Sequence, residues 1–141
     1  MLDSEALEKY LKAGRIAAEV REEIKGRARE GMRVLDICDY VENKIRSKGG
    51  EPAFPCNVSI NDVAAHYTAK PHDDLTIPEA SIVKIDIGVH VDGFIADTAV
   101  TVCFNPEWEL LVETAEEALE VAVSILRPGL SLSSFGARVE K

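Results

Sequence analysis

Two aspartates, Asp86 and Asp97, lie on either side of an Asp92-Gly93 step within a stretch rich in valine and isoleucine. Asp-Gly between two such runs is a strong signal for a β-hairpin with a two-residue turn. That turn would place Asp86 opposite Ala99 and Asp97 opposite Gly88. The two carboxylates then become diagonal neighbours on one face of the hairpin, with backbones roughly 7–8 Å apart.

The two faces of this hairpin differ in chemistry, because strand side chains alternate with period two. The expected apolar face comprises Val83, Ile85, Ile87, Val89, Val91, Phe94, Ala96, Thr98, Val100 and Val102. The other face comprises Ile82, Lys84, Asp86, Gly88, His90, Ile95, Asp97, Ala99, Thr101 and Cys103. Like charges this close repel and raise a pKa unless a cation lies between them, so the pattern favours a cation site. Spacing alone also allows a solvated pair of carboxylates with Lys84 as a neighbour.

Length and composition exclude several classes of protein. At 141 residues the chain fits one domain, and its 46% hydrophobic and 29% charged residues are ordinary for a globular protein. No apolar run reaches the ~20 residues needed to span a bilayer, and the acidic N-terminus does not resemble a signal peptide. We therefore expect a cytoplasmic protein that does not bind membranes. The net charge of −9 argues against nucleic-acid binding.

The three cysteines, Cys38, Cys56 and Cys103, form no C-x-x-C pair. This spacing predicts unpaired thiols in a reducing compartment and no zinc site. We expect Cys38 to lie in the core, and we assign Cys103 no chemistry because it lies at the end of its strand.

Helical periodicity predicts the elements that must support this hairpin. Residues 4–28 read as an amphipathic helix with Ser4 as its N-cap, and residues 34–48 as a second helix stopped by Gly49-Gly50. The expected buried stripes are Leu7, Leu11, Ile16, Ala17, Val20 and Ile24 in the first helix, and Leu35, Ile37, Cys38, Val41 and Ile45 in the second.

The remaining segments alternate between strand, loop and helix signals. Residues 53–61 predict a short or edge strand because Pro55 interrupts them, and residues 62–74 predict a loop. After the hairpin, Asn105-Pro106-Glu107 predicts a helix start, and that helix should continue to about Leu126.

An internal repeat relates the first part of the chain to its last residues. GMRVLDICDYVEN (31–43) aligns with GLSLSSFGARVEK (129–141) at an offset of 98, with matching glycines and matching apolar positions. Each copy follows a long helix, which is typical of duplicated supersecondary units. We therefore expect a helix after Gly129, equivalent to the one after Gly31.

AFPCNVSINDVAAHYTAKPHDD (53–74), followed by the aspartate hairpin, closely resembles the methionine aminopeptidases. The Phe-Pro step before an Ala-Ala-His-Tyr-Thr run is most similar to the type II branch of archaea and eukaryotes. The resemblance implies an α+β fold of the pita-bread (creatinase/aminopeptidase) class, in which helices pack on a curved antiparallel sheet in each of two pseudo-symmetric halves. It implies that residues 1–141 are the N-terminal half, ending inside the second repeat.

The resemblance also implies roles for individual residues. Asp86 and Asp97 would be metal ligands, with Asp97 bridging two divalent ions (Co, Mn, Fe or Zn, of unknown identity) that activate water and polarise the scissile carbonyl. His66 would be catalytic and substrate-binding, because in this family it hydrogen-bonds the scissile amide. Phe54 would line the pocket for the methionine side chain. His72 and His90 match no family role, so we expect them to face solvent or make local hydrogen bonds.

The implied function is metal-dependent removal of the initiator methionine from nascent polypeptides. The family's other metal ligands, one histidine and two glutamates, belong to the second half, so we expect this chain to be inactive alone and to need its C-terminal half as a partner. One alternative is a non-catalytic interaction module, possibly a symmetric homodimer. Another, disfavoured by the Ala-Ala-His-Tyr-Thr run, is a prolidase-like hydrolase.

Overall fold

The chain divides into two compact units, Met1–Phe104 and Asn105–Lys141, and a computed structural model describes residues 3–140. Among the described residues, the first unit contains two helices and a four-stranded antiparallel sheet, and the second contains a short 3-10 helix and two α-helices. The predicted α+β class is therefore confirmed. No helix among the described residues is long and apolar enough to cross a membrane.

Helix α1 spans Ser4–Arg27, close to its predicted bounds. The prediction that Ser4 caps it is wrong, because the Asp3 side chain accepts a hydrogen bond from the Ala6 amide at 2.8 Å. The prediction that Leu7 and Leu11 are buried is also wrong, since both are exposed. The buried stripe instead passes through Ala6, Ala13, Ile16, Ala17, Val20 and Ile24.

Helix α2 spans Val34–Ser47, and a left-handed glycine, Gly49, follows its end as predicted. The prediction that Leu35 begins the buried stripe is wrong, because Val34 is fully buried whereas Leu35 is only half-buried. The other members of its buried stripe, Ile37, Cys38, Val41 and Ile45, lie where periodicity placed them.

The sheet is built around one long strand. β3 (Ile82–Val91) pairs with β4 (Phe94–Cys103) along its whole length. Since β4 occupies one edge of β3, the short strands β1 (Glu51–Pro52) and β2 (Asn57–Ile60) pair with the other edge. The residues between β1 and β2 include Pro55, and this explains why the predicted strand is interrupted.

The core lies between the helices and the apolar face of the sheet. All four inward residues of β3 from Val83 to Val89 are fully buried, and α1 packs against both β3 and β4. The predicted division of the hairpin into an apolar and a polar face is therefore confirmed. The helices therefore do not cover the polar face, which carries Asp86 and Asp97.

The second unit begins with a short 3-10 helix, Pro106–Trp108, continues as α3 (Glu109–Ile125) and ends with α4 (Leu132–Val139). The Asn105 side chain accepts a hydrogen bond from the Glu107 amide at 3.0 Å, so the predicted cap is confirmed, although the first turn is 3-10.

The repeat is confirmed at the level of the backbone. α1 and α3 end 98 residues apart, at Arg27 and Ile125, and α2 and α4 begin 98 residues apart. Gly31 and Gly129 both adopt left-handed conformations, with φ of 78° and 84°. The Met32 amide donates to the Arg29 carbonyl at 3.2 Å, and the equivalent Leu130 amide donates to Arg127 at 3.1 Å.

Candidate metal centre

The hairpin places Asp86 and Asp97 as the sequence predicts. Asp86 pairs with Ala99 and Gly88 pairs with Asp97, so the two carboxylates are diagonal neighbours on the polar face. The register is fixed by the turn, where Asp92 and Gly93 both have positive φ, 50° and 86°. Two successive positive φ values are those of a type I′ turn, whose twist matches that of the strands.

The two carboxylates interact electrostatically. Asp86 is half-buried and Asp97 is exposed. Burial raises the pKa of Asp86 above its ordinary value, the Asp97 charge raises it further, and Lys84 and His66 partly oppose the shift. A divalent cation between the two side chains would relieve both the repulsion and the desolvation.

The donor chemistry fits a metal ion, but the donor set is partial. Within residues 3–140, neither carboxylate forms an ion pair with a basic side chain. The same residues contain no group of three or more His, Cys, Asp or Glu side chains that could hold a metal. Two carboxylate oxygens suit hard or borderline divalent ions. Residues 3–140 therefore bring two carboxylates together at this position.

His66 lies in the loop between β2 and β3, where it is exposed and has a φ of 66°. A left-handed conformation at a residue other than glycine is strained and persists only where the surrounding structure enforces it. The neighbouring residue provides this constraint. The Tyr67 carbonyl accepts from the Val58 amide at 2.7 Å, and the Tyr67 hydroxyl donates to Asp73 at 2.6 Å. His66 is thus held close enough to Asp86 to lower the pKa of that carboxyl electrostatically.

Phe54 lies directly against Gly88 on β3. A Cβ atom built on Gly88 would be 2.3 Å from the Phe54 Cε1 atom, closer than any real contact, so the ring occupies the space where a side chain would be. Because Gly88 is paired with Asp97, the ring lies beside that carboxylate. The ring is half-buried and therefore presents apolar surface next to the carboxylate pair.

Sequence reasoning missed two residues of this face. Gly88 was placed on the polar face but given no role, although a glycine inside a strand often marks a close approach by another group. Asn57 was not singled out at all. It is paired with Asp86 across β2 and β3, and directly opposite residues share a face. No signal in the sequence could have identified Asn57, since its position depends on the register of β2.

The two other histidines and Cys103 have surroundings of their own. His90 accepts a hydrogen bond at Nδ1 from the Gly93 amide at 3.2 Å, and this confirms the expected local hydrogen bond. His72 is exposed in the loop, as expected. Cys103 is half-buried at the end of β4.

Comparison with known proteins agrees with this geometry. The sequence model of metallopeptidase family M24 matches residues 8–141. The chain is 46% identical over 138 residues to a methionine aminopeptidase of Methanothermobacter thermautotrophicus, covering 96% of this chain and 46% of the relative. It is 43% identical over 140 residues to a methionine aminopeptidase of Methanocaldococcus jannaschii, covering 99% of this chain and 48% of the relative.

Solved structures show the same fold. A methionine aminopeptidase of Thermotoga maritima superposes with a TM-score of 0.88 at 25% identity, covering 97% of this chain and 59% of that one. A prolidase of Pyrococcus furiosus superposes with a TM-score of 0.85 at 23% identity, covering 97% of this chain and 42% of that one. The chain spans about half the length of the curated relatives that it matches. Over that span, the chain belongs to metallopeptidase family M24.

Proposed function

We propose that this chain forms part of a metal-dependent aminopeptidase that removes the initiator methionine from nascent polypeptides. The observation that carries the proposal is the placement of Asp86 and Asp97 as neighbouring carboxylates on one face of the hairpin, where the charge of Asp97 raises the pKa of Asp86. The identities of 43–46% to archaeal methionine aminopeptidases support the choice of substrate class.

In this proposal the two aspartates hold the metal ions. Asp86 and Asp97 would hold two divalent ions, which could be Co, Mn, Fe or Zn. When bound, such ions would supply a nucleophile at neutral pH and polarise the scissile carbonyl. Asn57, which lies opposite Asp86, is positioned to orient that carboxylate through its side-chain amide.

His66 and Phe54 act on the substrate. An exposed imidazole within electrostatic range of Asp86 can donate a hydrogen bond to the scissile amide, and this would stabilise the charge that develops on it. The Phe54 ring beside Asp97 offers an apolar contact for the methionine side chain of the substrate. The absence of a side chain at Gly88 allows the ring to lie directly against the sheet.

Two carboxylates are fewer ligands than a dinuclear site requires, so we propose that the chain needs a complementary segment for activity. The relatives contain about twice the length of this chain, and their remaining residues are the natural source of the other ligands. By the family resemblance, these ligands are one histidine and two glutamates. Alone, the chain should bind metal weakly and hydrolyse little.

The test is a titration with Mn²⁺ followed by calorimetry, using the chain alone and then the chain with the complementary half of the Methanothermobacter thermautotrophicus relative. We expect weak binding to the chain alone, loss of that binding in Asp97→Ala, and unchanged binding in Glu8→Ala, which removes an exposed carboxylate of α1. The reconstituted pair should release methionine from a Met-Gly peptide. Binding that survives both Asp86→Ala and Asp97→Ala would exclude the proposed site.

A further inference from the structure

Two cysteines that are distant in sequence come into contact in the first unit. Cys38 lies on α2 and Cys56 lies between β1 and β2. The Cys38 thiol donates to the Cys56 carbonyl at 3.3 Å. The two thiols also act on each other, since Cys56 lowers the pKa of Cys38 and Cys38 raises the pKa of Cys56. Glu42 of α2 accepts from the Cys56 amide at 3.3 Å, so the Cys56 segment is already tied to this helix.

As a neutral thiol, Cys38 donates to a carbonyl, but three other neighbouring groups favour its thiolate. The Cys56 thiol is the largest contributor, and the Ala69 amide and the Thr68 side chain add to it. Together they lower the pKa of Cys38 to about 7, although burial alone would raise it. The thiolate is the reactive form of cysteine, and a thiolate next to a second thiol is the arrangement found in redox-sensing pairs.

We propose that Cys38 and Cys56 form a peroxide-sensitive redox site, in which Cys38 is oxidised first and Cys56 resolves it to a disulfide. The Cys38 sulfur attacks one oxygen of a hydroperoxide, the O–O bond breaks, and water or an alcohol leaves with the proton. The resulting sulfenic acid then reacts with the Cys56 thiol, forming the S–S bond and releasing water. Two thiols lose two electrons and two protons, and the hydroperoxide gains them.

Burial determines which oxidants can reach this site. Cys38 is 5% exposed and Cys56 is 2% exposed, so only a small oxidant such as hydrogen peroxide can approach the sulfur. Cys103 is half-buried and lies on another element, so it is more open to bulky disulfide reagents. Hydrogen peroxide and glutathione disulfide should therefore modify different cysteines.

The disulfide would act on both loops that carry residues of the proposed site. Cys56 lies two residues after Phe54 and directly before Asn57, which is paired with Asp86. Thr68 and Ala69, which stabilise the Cys38 thiolate, follow His66 in its loop. A disulfide removes that thiolate and draws the Cys56 segment toward α2. Resting on the proposed function, we infer that oxidation weakens metal binding at Asp86 and Asp97.

The redox step is tested on the full chain, without metal. The reduced protein is treated with hydrogen peroxide, its remaining thiols are blocked under denaturing conditions, and its peptides are mapped by mass spectrometry. We expect a disulfide-linked pair of peptides containing Cys38 and Cys56, with the summed mass of the two reduced peptides minus two hydrogen atoms. The same product should form to the same extent in Cys103→Ser. In Cys56→Ser, a dimedone adduct should appear on Cys38. Oxidation confined to Cys103, or no 38–56 link in the wild-type chain, would overturn the proposal, and that outcome does not depend on whether the variants fold.

Its consequence is tested by Mn²⁺ titration of the oxidised and the reduced chain. We expect at least about tenfold weaker binding after oxidation, as when residues that support metal ligands are disturbed, and recovery after treatment with a reductant. Equal affinities in the two forms would overturn the link between the thiols and the metal centre. If neither form binds Mn²⁺ while the disulfide forms, the redox site stands and the proposed metal function fails.

Discussion

The helix pairs α1–α2 and α3–α4 share the position and turn geometry of their junction but have very different environments. Val34 begins α2 and is fully buried, whereas Leu132 begins α4 at the equivalent position and is 86% exposed. In the first unit, a sheet packs on the apolar stripe of the helices, and the second unit contains no strand among its described residues. Local sequence is therefore enough to form this helix pair, but the sheet is what provides its core.

The comparison also separates structure from chemistry. The sheet carries Asp86 and Asp97 on the face that the helices leave open, and its apolar face holds the helices in place. One element thus serves both as the core partner and as the platform for the candidate site. The second helix pair has the same turn geometry at its glycine, but among the residues described it has no such platform.

Removing a buried side chain from the α1–α2 helix pair should give the largest change in the free energy of unfolding. Ile37→Ala deletes a fully buried side chain of α2 and should destabilise the first unit by roughly 2–5 kcal/mol. Leu132→Ala in α4 is the control and should change stability by less than about 0.5 kcal/mol, because its side chain is already solvated. Urea unfolding followed by circular dichroism, with hydrogen exchange of the β3 amides, measures both. Similar losses in the two variants would contradict the comparison.

The two glycines Gly88 and Gly136 should respond in opposite directions to a methyl group. Gly88→Ala forces the Phe54 ring from its seat and should cost roughly 1–3 kcal/mol, whereas Phe54→Ala should make the same change nearly neutral. Gly136 in α4 has no neighbour within 4 Å of its would-be Cβ, so Gly136→Ala should stabilise that helix by roughly 0.5–1 kcal/mol.

The measurement is a double-mutant cycle at Gly88 and Phe54 by urea unfolding, with hydrogen exchange of the α4 amides for Gly136. If the costs of Gly88→Ala and Phe54→Ala simply add, the ring does not rest on Gly88 in solution.

The hairpin shows how far sequence can predict this molecule. Its register and the pairing of its aspartates follow from Asp92-Gly93 and from alternation alone, because turn chemistry and burial both act locally. Positions that depend on long-range packing were missed. Asn57 reaches the polar face only through the register of β2, and Cys38 meets Cys56 only after α2 packs against the sheet segment.

The error in α1 has a different origin. At roughly 100° per residue, Leu11 lies about 180° and Leu7 about 140° around the helix from the buried Val20, so both point away from the core. Ala6 is nearer the start of the helix but is buried, because it lies only about 40° from Val20. The buried stripe thus passes through small residues that hydrophobicity alone does not single out.

The matched glycines Gly31 and Gly129 give a more balanced test. Both have φ near 80° and neither has a neighbour near its would-be Cβ, so alanine at either position is strained only by the backbone, by about 1–2 kcal/mol. Gly31→Ala should lower the stability of the first unit by that amount, whereas Gly129→Ala should increase only the hydrogen exchange of α4 amides. A global loss from Gly129→Ala would show that the second helix pair contributes to the core.

The smallest effect should come from the ion pairs that join α1 to α2. Glu23 lies 3.0 Å from the Lys44 ammonium and 3.1 Å from that of Lys48, and it accepts from the Tyr40 hydroxyl at 3.0 Å. Lys44 and then Lys48 and Tyr40 lower the pKa of Glu23 from 4.5 to about 2. A carboxyl whose pKa is lower in the folded than in the unfolded state stabilises the folded state. This contribution is complete at pH values above the unfolded-state pKa, and it is lost as the pH falls toward the folded-state pKa.

Because these side chains are about one-third exposed, the contribution should be no more than about 1 kcal/mol, and it should decrease with added salt. Glu23→Gln should therefore be less stable than the wild-type chain at pH 6, and the difference should disappear between about pH 4.5 and pH 2. Glu8→Gln, an exposed position on the same helix, should show no such dependence. If the difference in stability between Glu23→Gln and the wild-type chain is as large at pH 2 as at pH 6, the ion pairs do not stabilise the packing of α1 on α2. Burial alone would then distinguish this helix pair from the second.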